Sequence, residues 1–149
     1  MWNTINTEKD IENLMQLFGN FHDSCLKEIR YISGAFVKPN LAMKPTNSIR
    51  TVDIIFQRQY RNPTVIVMRF IGLTILHLAP YNDKYTCEIC EARIFSKNGL
   101  VYWVDDASEI KDEMENYNGT WICANRIQWC VVDECIGDNI VFQGGFETE

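Results

Sequence analysis

The sequence contains only two histidines, His22 and His77, in 149 residues. Metal-dependent phosphohydrolases that use a His-Asp pair need several further histidines, so this shortage argues against that class. No window approaches the roughly 18 consecutive apolar residues of a membrane-spanning helix. The amino terminus also lacks the basic stretch and apolar run of a secretion signal. We therefore expect a cytoplasmic protein that makes no membrane contact.

Positive charge is scarce as well, because fourteen Lys and Arg stand against twenty Asp and Glu, a formal net charge of −6. A nucleic-acid surface needs clustered basic side chains that displace counterions from phosphate. The charge balance therefore predicts no nucleic-acid partner and permits a basic protein partner. The aromatic content of 12% is too high for a disordered chain, and the length suits a single globular domain over 1–149.

Six cysteines are present, and in a cytoplasmic protein we expect them to be reduced thiols in or near the core. Cys87 and Cys90 have the two-residue gap of a zinc or redox pair. The other cysteines are not spaced as a second pair, and residues three apart on a strand face opposite sides. The sequence therefore predicts no metal and no cofactor.

Local signals define the first helix and the best hairpin. Thr7 and Asp10 fit a capping box, and an apolar stripe with helical spacing follows, which predicts a helix over about 8–18. Gly19 and Asn20 tolerate the left-handed conformation that ends a helix. Asn98-Gly99 between two strand-like stretches is typical of a tight β-hairpin.

Alternating or continuous apolar patterns predict the strands. They cover about 24–36, 49–58, 64–79 (bent at Gly72 or divided in two), 86–95, 100–104, 120–132 and 140–142, and a loop is expected over 38–47. Consecutive strands joined by short turns require antiparallel pairing. We therefore predict an α+β fold that is mainly antiparallel β. One amino-terminal helix packs on a curled or partly closed antiparallel sheet of six to eight strands.

The order of three short motifs resembles a known group of proteins. Phe21-His22-Asp23-Ser24-Cys25-Leu26 follows the helix, Val101-Tyr102-Trp103-Val104-Asp105-Asp106 comes later, and Thr120-Trp121-Ile122-Cys123-Ala124 opens the last long strand. This order is similar to a group of small uncharacterised bacterial proteins of the immunity-protein type. Some members of such groups are immunity proteins in polymorphic toxin systems. The resemblance implies a toxin-neutralising or other binding role, and it brings no catalytic residues with it.

His22, Asp23 and Ser24 form the first candidate site, at the joint between helix and strand. In a structural role, Asp23 accepts backbone N–H bonds in the turn and His22 packs over it. In a catalytic role, these residues and a cysteine, Cys25 or Cys90, form a small hydrolase site. The shortage of histidines favours the structural role.

The second candidate site is an acidic segment with one basic residue, Lys111. Its acids are Asp105, Asp106, Glu109, Asp112, Glu113 and Glu115. It lacks the glycine and ligand spacing of a calcium loop. It is either a solvated connection or a surface that presents negative charge to a basic partner.

The sequence is therefore compatible with three functions. The first is a non-enzymatic binding protein, of the immunity type, that neutralises a basic protein partner through its acidic surface. The second is a small-molecule binder that uses a pocket in the curled sheet, for which we expect an apolar cavity with convergent polar groups. The third is the small hydrolase built on His22, Asp23 and a cysteine.

Overall fold

A computed structural model describes residues 1–46, 49–108 and 111–143, with only the backbone of 111 and 112. Within these residues the fold consists of one α-helix and a set of antiparallel strands, with short 3₁₀ turns at Gly19–Phe21, Lys111–Asn116 and Asp133–Cys135. None of the described helices is long and apolar enough to cross a membrane. In chain order the elements are β1 (Asn3–Ile5), α1 (Glu8–Leu17), β2 (Ser24–Ile32), β3 (Phe36–Val37), β4 (Met43–Lys44), β5 (Thr51–Arg58), β6 (Val65–His77), β7 (Glu88–Ile89), β8 (Arg93–Lys97), β9 (Leu100–Val104) and β10 (Trp121–Val131).

Helix α1 begins and ends as its sequence predicts. The Thr7 hydroxyl accepts from the Asp10 N–H at 3.2 Å, and the Asp10 carboxylate accepts from the Thr7 N–H at 2.8 Å, which completes the capping box. Ile11, Leu14 and Phe18 from the apolar stripe are buried in the main core. The predicted helix on a sheet is therefore confirmed.

Seven strands of the eight-stranded main sheet follow the order β7-β2-β5-β6-β10-β9-β8, and the eighth, β1, pairs with residues 127–129 of β10 on the edge that faces away from β6. Strands β7 and β8 are neighbours in sequence but lie at opposite ends of this order. Residues 90–92 join them, and a chain this short reaches at most about 14 Å from Ile89 to Arg93. The sheet must therefore curl until its two ends come close together. The predicted curled antiparallel sheet of six to eight strands is confirmed.

Two strand predictions are refined by the pairing. The stretch 64–79 is one strand, β6, in which Gly72 has a left-handed φ of 66° and an added Cβ would lie 2.4 Å from Asn125 Nδ2. Its register with β10 shifts just beyond this glycine, between Cys123 and Ala124. The Asn98-Gly99 turn joins β8 to β9, and both residues have positive φ, as the hairpin prediction requires.

Other strand predictions were wrong in detail. The predicted strand over 86–95 is divided between β7, which pairs with β2, and β8, which pairs with β9. Part of the predicted loop over 38–47 belongs to a small separate hairpin, β3–β4, which carries the exposed residues Phe36, Leu41 and Met43. Strand β1 was not predicted, because three residues give too little pattern.

The stretch 140–142, predicted as a strand, is held by side chains instead. The Glu28 carboxylate accepts from the Val141 and Phe142 N–H groups at 2.8 and 3.1 Å. Lys27 donates to the Asn139 carbonyl. These contacts lay the end of the described chain over the outer face of the sheet, where Val141 and Phe142 pack on a second apolar cluster around Ile55 and Val67.

Candidate functional site

The joint after α1 is held in an uncommon backbone conformation. Gly19, Asn20 and Phe21 all have positive φ values, of 59°, 56° and 61°. A bulky residue such as Phe21 rarely adopts this region, so the surrounding structure must hold it there. Phe21 is fully buried against the rings of Phe18 and Phe56. The joint is therefore part of the core and fixes where the next residues lie.

His22 and Asp23 follow on the surface and contact each other. His22 Nδ1 donates to the Cys90 carbonyl at 2.7 Å, and its Nε2 lies 3.3 Å from Asp23 Oδ2. In the described part of the chain no backbone N–H donates to the Asp23 carboxylate. The buried Ser24 hydroxyl, 2.5 Å from the Phe21 carbonyl, closes the turn in its place. The structural role predicted for Asp23 thus falls to Ser24.

The residues proposed for a hydrolase are only partly brought together. Asp23, Ser24 and Cys25 line one open cleft of about 540 Å³ with Cys87, whereas His22 lines another. Burial, with Cys87 nearby, raises the pKa of the Cys25 thiol. A nucleophilic cysteine needs the opposite shift and a base beside it. This geometry does not favour a cysteine nucleophile at the joint.

The cysteine pair flanks β7 rather than lying within it. Cys87 precedes the strand, Cys90 follows it, and both are exposed free thiols. Among residues 1–46, 49–108 and 111–143, no group of three or more His, Cys, Asp or Glu side chains is arranged to hold a metal ion.

Asp105, predicted as an exposed acid, is buried. Its carboxylate accepts from the hydroxyls of Tyr85 and Tyr117 and, at 3.0 Å, from the Thr120 N–H. Burial raises the pKa of this carboxyl, while the hydrogen bonds from Tyr117 and Thr120 lower it. Asp105 therefore organises the surrounding fold through these three hydrogen bonds.

The raised pKa of Asp105 predicts how the stability of the protein depends on pH. The folded protein holds the Asp105 proton more tightly than the unfolded chain does. The stability that this proton provides is therefore complete below the ordinary aspartate pKa of 3.8 and is lost as pH rises through the raised pKa of the folded state. Asp105→Asn removes this titration. We expect the free energy of unfolding of the variant minus that of wild type to be more positive at pH 7 than at pH 3, because only wild type loses stability over this range. Urea unfolding at both pH values measures it, and a constant difference would contradict the expectation.

The other acids of the segment whose side chains are described are exposed, unlike Asp105. Asp106 is exposed and accepts from the Ser108 N–H at 2.9 Å. Glu113 and Glu115 are also exposed. Glu109 lies outside the described residues, and the side chain of Asp112 is likewise not described.

Asp106 shares a cleft with two acids that sequence reasoning missed. Glu88 at β7 and Glu91 just after it line an open recess of about 340 Å³ together with Asp106, and all three are exposed. The two segments are joined by the Ala107 N–H, which donates to the Glu91 carbonyl at 3.0 Å. We call this recess, with Glu88, Glu91 and Asp106 as its acids, the acidic cleft.

The lining of the acidic cleft includes two tyrosines and, among the described residues, no basic side chain. Tyr85 and Tyr117 line it, and their hydroxyls donate to the Asp105 carboxylate. None of the described lining residues is Lys or Arg. The half-buried Arg93 lies near the lining and donates to the Ala107 carbonyl at 3.4 Å. The cleft therefore offers carboxylates and aromatic rings to a cationic group.

Comparisons with known proteins assign no family or function to this chain. No family model, no curated protein and no solved structure gives a significant match to the chain.

Proposed function

We propose that the chain is a binding protein, of the immunity type, that neutralises a basic protein partner through its acidic cleft. The observation that supports this most is the convergence of Glu88, Glu91 and Asp106, from two separate segments, on one recess whose described lining residues include no Lys or Arg. Such an arrangement is complementary to lysine or arginine side chains, since opposite potentials across an interface steer association and fix register.

The supporting residues give the cleft its shape. Asp105 accepts from the hydroxyls of Tyr85 and Tyr117, which fixes two aromatic residues in the lining, and aromatic rings attract cationic side chains. Glu113 and Glu115, a few residues after Asp106 in the sequence, are also exposed. Their negative charge further attracts a basic partner as it approaches. The net charge of −6 favours the same class of partner at long range.

The test uses charge variants that keep side-chain volume. Glu88→Gln, Glu91→Gln and Asp106→Asn together remove three negative charges from the cleft. A matched control removes three exposed acids elsewhere, by Glu12→Gln, Glu134→Gln and Asp138→Asn. Binding of a peptide of alternating lysine and glycine is measured by calorimetry at low and physiological salt.

We expect the cleft variant to bind the basic peptide about 3- to 150-fold more weakly than wild type, because each of the three exposed ion pairs contributes about 0.2–1 kcal/mol. Its salt dependence is expected to flatten, since added salt screens these charges. The control variant is expected to keep most of the affinity. Equal losses in both variants would contradict a specific cleft and leave only the net charge as the cause.

A further inference from the structure

An open recess of about 390 Å³ lies between the end of α1 and the turn that joins β5 to β6. Two of its lining residues are arginines, and none of the described lining residues is Asp or Glu. The end of α1 and the joint after it form one side, and β5 with its turn forms the other: Gln16, Leu17, Gly19 and His22 on the first, Arg58, Tyr60 and Arg61 on the second. We call it the arginine recess.

The Arg58 guanidinium is fixed in place but has no carboxylate partner among the described residues. Its Nε donates to the Pro63 carbonyl at 2.7 Å, and its central carbon lies 4.8 Å from the centre of the Phe18 ring. An added Cβ at Gly19 would lie 3.0 Å from its Nη1, so the end of α1 packs closely against it. Arg58 is only half-buried, and neither of its Nη groups has a hydrogen-bond or ion-pair partner in the described part of the chain. These N–H donors are therefore available to an acceptor that enters the recess.

The turn after β5 places a second guanidinium at the same recess. The Arg58 N–H donates to the Thr64 carbonyl at 3.0 Å, and the Gln59 N–H donates to the Asp23 carbonyl at 3.1 Å, which fixes the turn against the joint after α1. Arg61 is exposed, and its side chain makes no hydrogen bond or ion pair with a described residue. Acids outnumber bases by twenty to fourteen in this chain. Two arginines that nevertheless have no described acidic partner indicate a site for an anion from outside.

Two acids near the arginine recess are engaged elsewhere. Asp133 lines a neighbouring cleft, and its carboxylate accepts from the N–H groups of residues 64 and 65 at 2.8 and 2.9 Å. Asp23 lies 3.3 Å from Nε2 of His22, whose Nδ1 donates to a backbone carbonyl. Because both ring nitrogens of His22 have partners, the histidine forms a wall of the recess and the two arginines remain as the cationic donors.

The charges around the arginine recess favour an anion. Burial lowers the pKa of the Arg58 guanidinium because it disfavours the charged form, and the charge of Asp133 raises it. A bound anion stabilises the charged form in the same way. The C-terminal end of α1 opposes an anion with a partial charge of about half a unit. The carbonyls of Leu14, Phe18 and Gly19 at this end already accept from backbone N–H groups, and two full positive charges outweigh the remainder.

We propose that the arginine recess binds a small phosphomonoester, whose dianionic phosphate lies between Arg58 and Arg61 and whose organic group contacts Leu17 and Tyr60. Guanidinium groups bind phosphate oxygens through paired N–H donors, and two of them balance the two charges of the ester. Leu17 and Tyr60 are 39% and 54% exposed, so a ligand can reach them. The volume falls within the roughly 300–1,000 Å³ of small-molecule pockets. The arginine recess and the acidic cleft share no lining residue, and binding here does not depend on the basic partner.

Three probes separate the phosphate from the organic group. Phenyl phosphate is a dianion at pH 7.5, phenyl sulfate has nearly the same shape with one negative charge, and inorganic phosphate lacks the ring. Each is titrated at constant ionic strength into ¹⁵N-labelled protein, and the backbone amide resonances are followed. We expect saturable shifts at 16–19 and 58–61 with phenyl phosphate. Phenyl sulfate is expected to bind about two- to fivefold more weakly, the range for one exposed ion pair, and inorganic phosphate is also expected to bind more weakly than phenyl phosphate.

Matched arginine variants provide the control. Arg126 on β10 is exposed like Arg61, its side chain also makes no hydrogen bond or ion pair with a described residue, and it does not line the recess. Arg61→Gln is expected to weaken the binding of phenyl phosphate about two- to fivefold, and Arg126→Gln is expected to leave it unchanged. Arg58→Gln is expected to weaken it about 10- to 150-fold, the range for a hydrogen bond to a charged group. If Arg58→Gln does not fold, the comparison of Arg61→Gln with Arg126→Gln decides.

Three results would overturn the proposal. The first is the absence of saturable shifts with phenyl phosphate. The second is equal weakening by Arg61→Gln and Arg126→Gln, which would mean that the overall charge, and not the recess, determines binding. The third is equal affinity for phenyl phosphate and phenyl sulfate, which would contradict a site for a dianion.

Discussion

Replacing Phe21 with alanine is expected to lower the free energy of unfolding by about 3–5 kcal/mol, the range for truncating a buried phenylalanine. Phe21 is fully buried and lies edge-on to three rings, at 5.0 Å from Phe18, 5.1 Å from Phe56 and 5.8 Å from Trp103. The loss of these contacts leaves a cavity between α1 and the sheet. The backbone of residue 21 is in the left-handed region and has little freedom to move into the space left by a smaller side chain.

The matched control is Phe36→Ala in the β3–β4 hairpin. Phe36 is 58% exposed, so its truncation is expected to change stability by no more than about 0.5 kcal/mol. Urea unfolding of wild type and both variants measures the difference. A Phe21→Ala loss below about 1 kcal/mol would mean that the joint does not anchor the core.

The second large effect is expected from Asp105→Ala. Three donors, the Tyr85 and Tyr117 hydroxyls and the Thr120 N–H, lose their common acceptor. A buried donor left unpaired costs about 1–3 kcal/mol, and the tyrosine hydroxyls are partly able to find water, so we expect a total loss of about 2–4 kcal/mol. The loss is large even though burial opposes the ionised form, because truncation removes the acceptor itself.

Asp138→Ala serves as the comparison for this variant, because Asp138 is exposed on the segment that follows β10. Its effect on unfolding by urea is expected to stay within about 0.5 kcal/mol. Similar losses for Asp105→Ala and Asp138→Ala would contradict the organising role of Asp105. We also expect Asp105→Ala to weaken the binding of the basic peptide, since the two tyrosine rings would no longer be fixed.

The features predicted from sequence are those with short-range causes. The capping box of α1 joins Thr7 to Asp10, and the β8–β9 turn needs only Asn98 and Gly99. Strand β7 is different, because its strand conformation depends on pairing with the start of β2, more than sixty residues earlier in the chain. Two residues at the end of a sheet carry almost no pattern of their own. The division of 86–95 therefore follows from the curl of the whole sheet.

The candidate site also depends on contacts between residues that are far apart in sequence. Val101, Trp103 and Asp105 alternate along β9 and beyond it, and the first two face the main core. This period of two was a signal that Asp105 also points inward, but the run of acids after it suggested a solvated segment. The partners of Asp105 come from 85, 117 and 120, and no local pattern links those positions. Glu88 and Glu91 were missed for the same reason.

The acidic cleft is tested most directly by mapping where a cationic ligand binds. ¹⁵N-labelled protein is titrated with the lysine-glycine peptide at low salt and compared with its glutamine-glycine counterpart. We expect the amide resonances of 88–91 and 106–108 to shift in a saturable way with the basic peptide, and to remain unchanged with the neutral one. Shifts spread over all exposed acids, or centred on Glu134 and Asp138, would contradict a binding site in the acidic cleft.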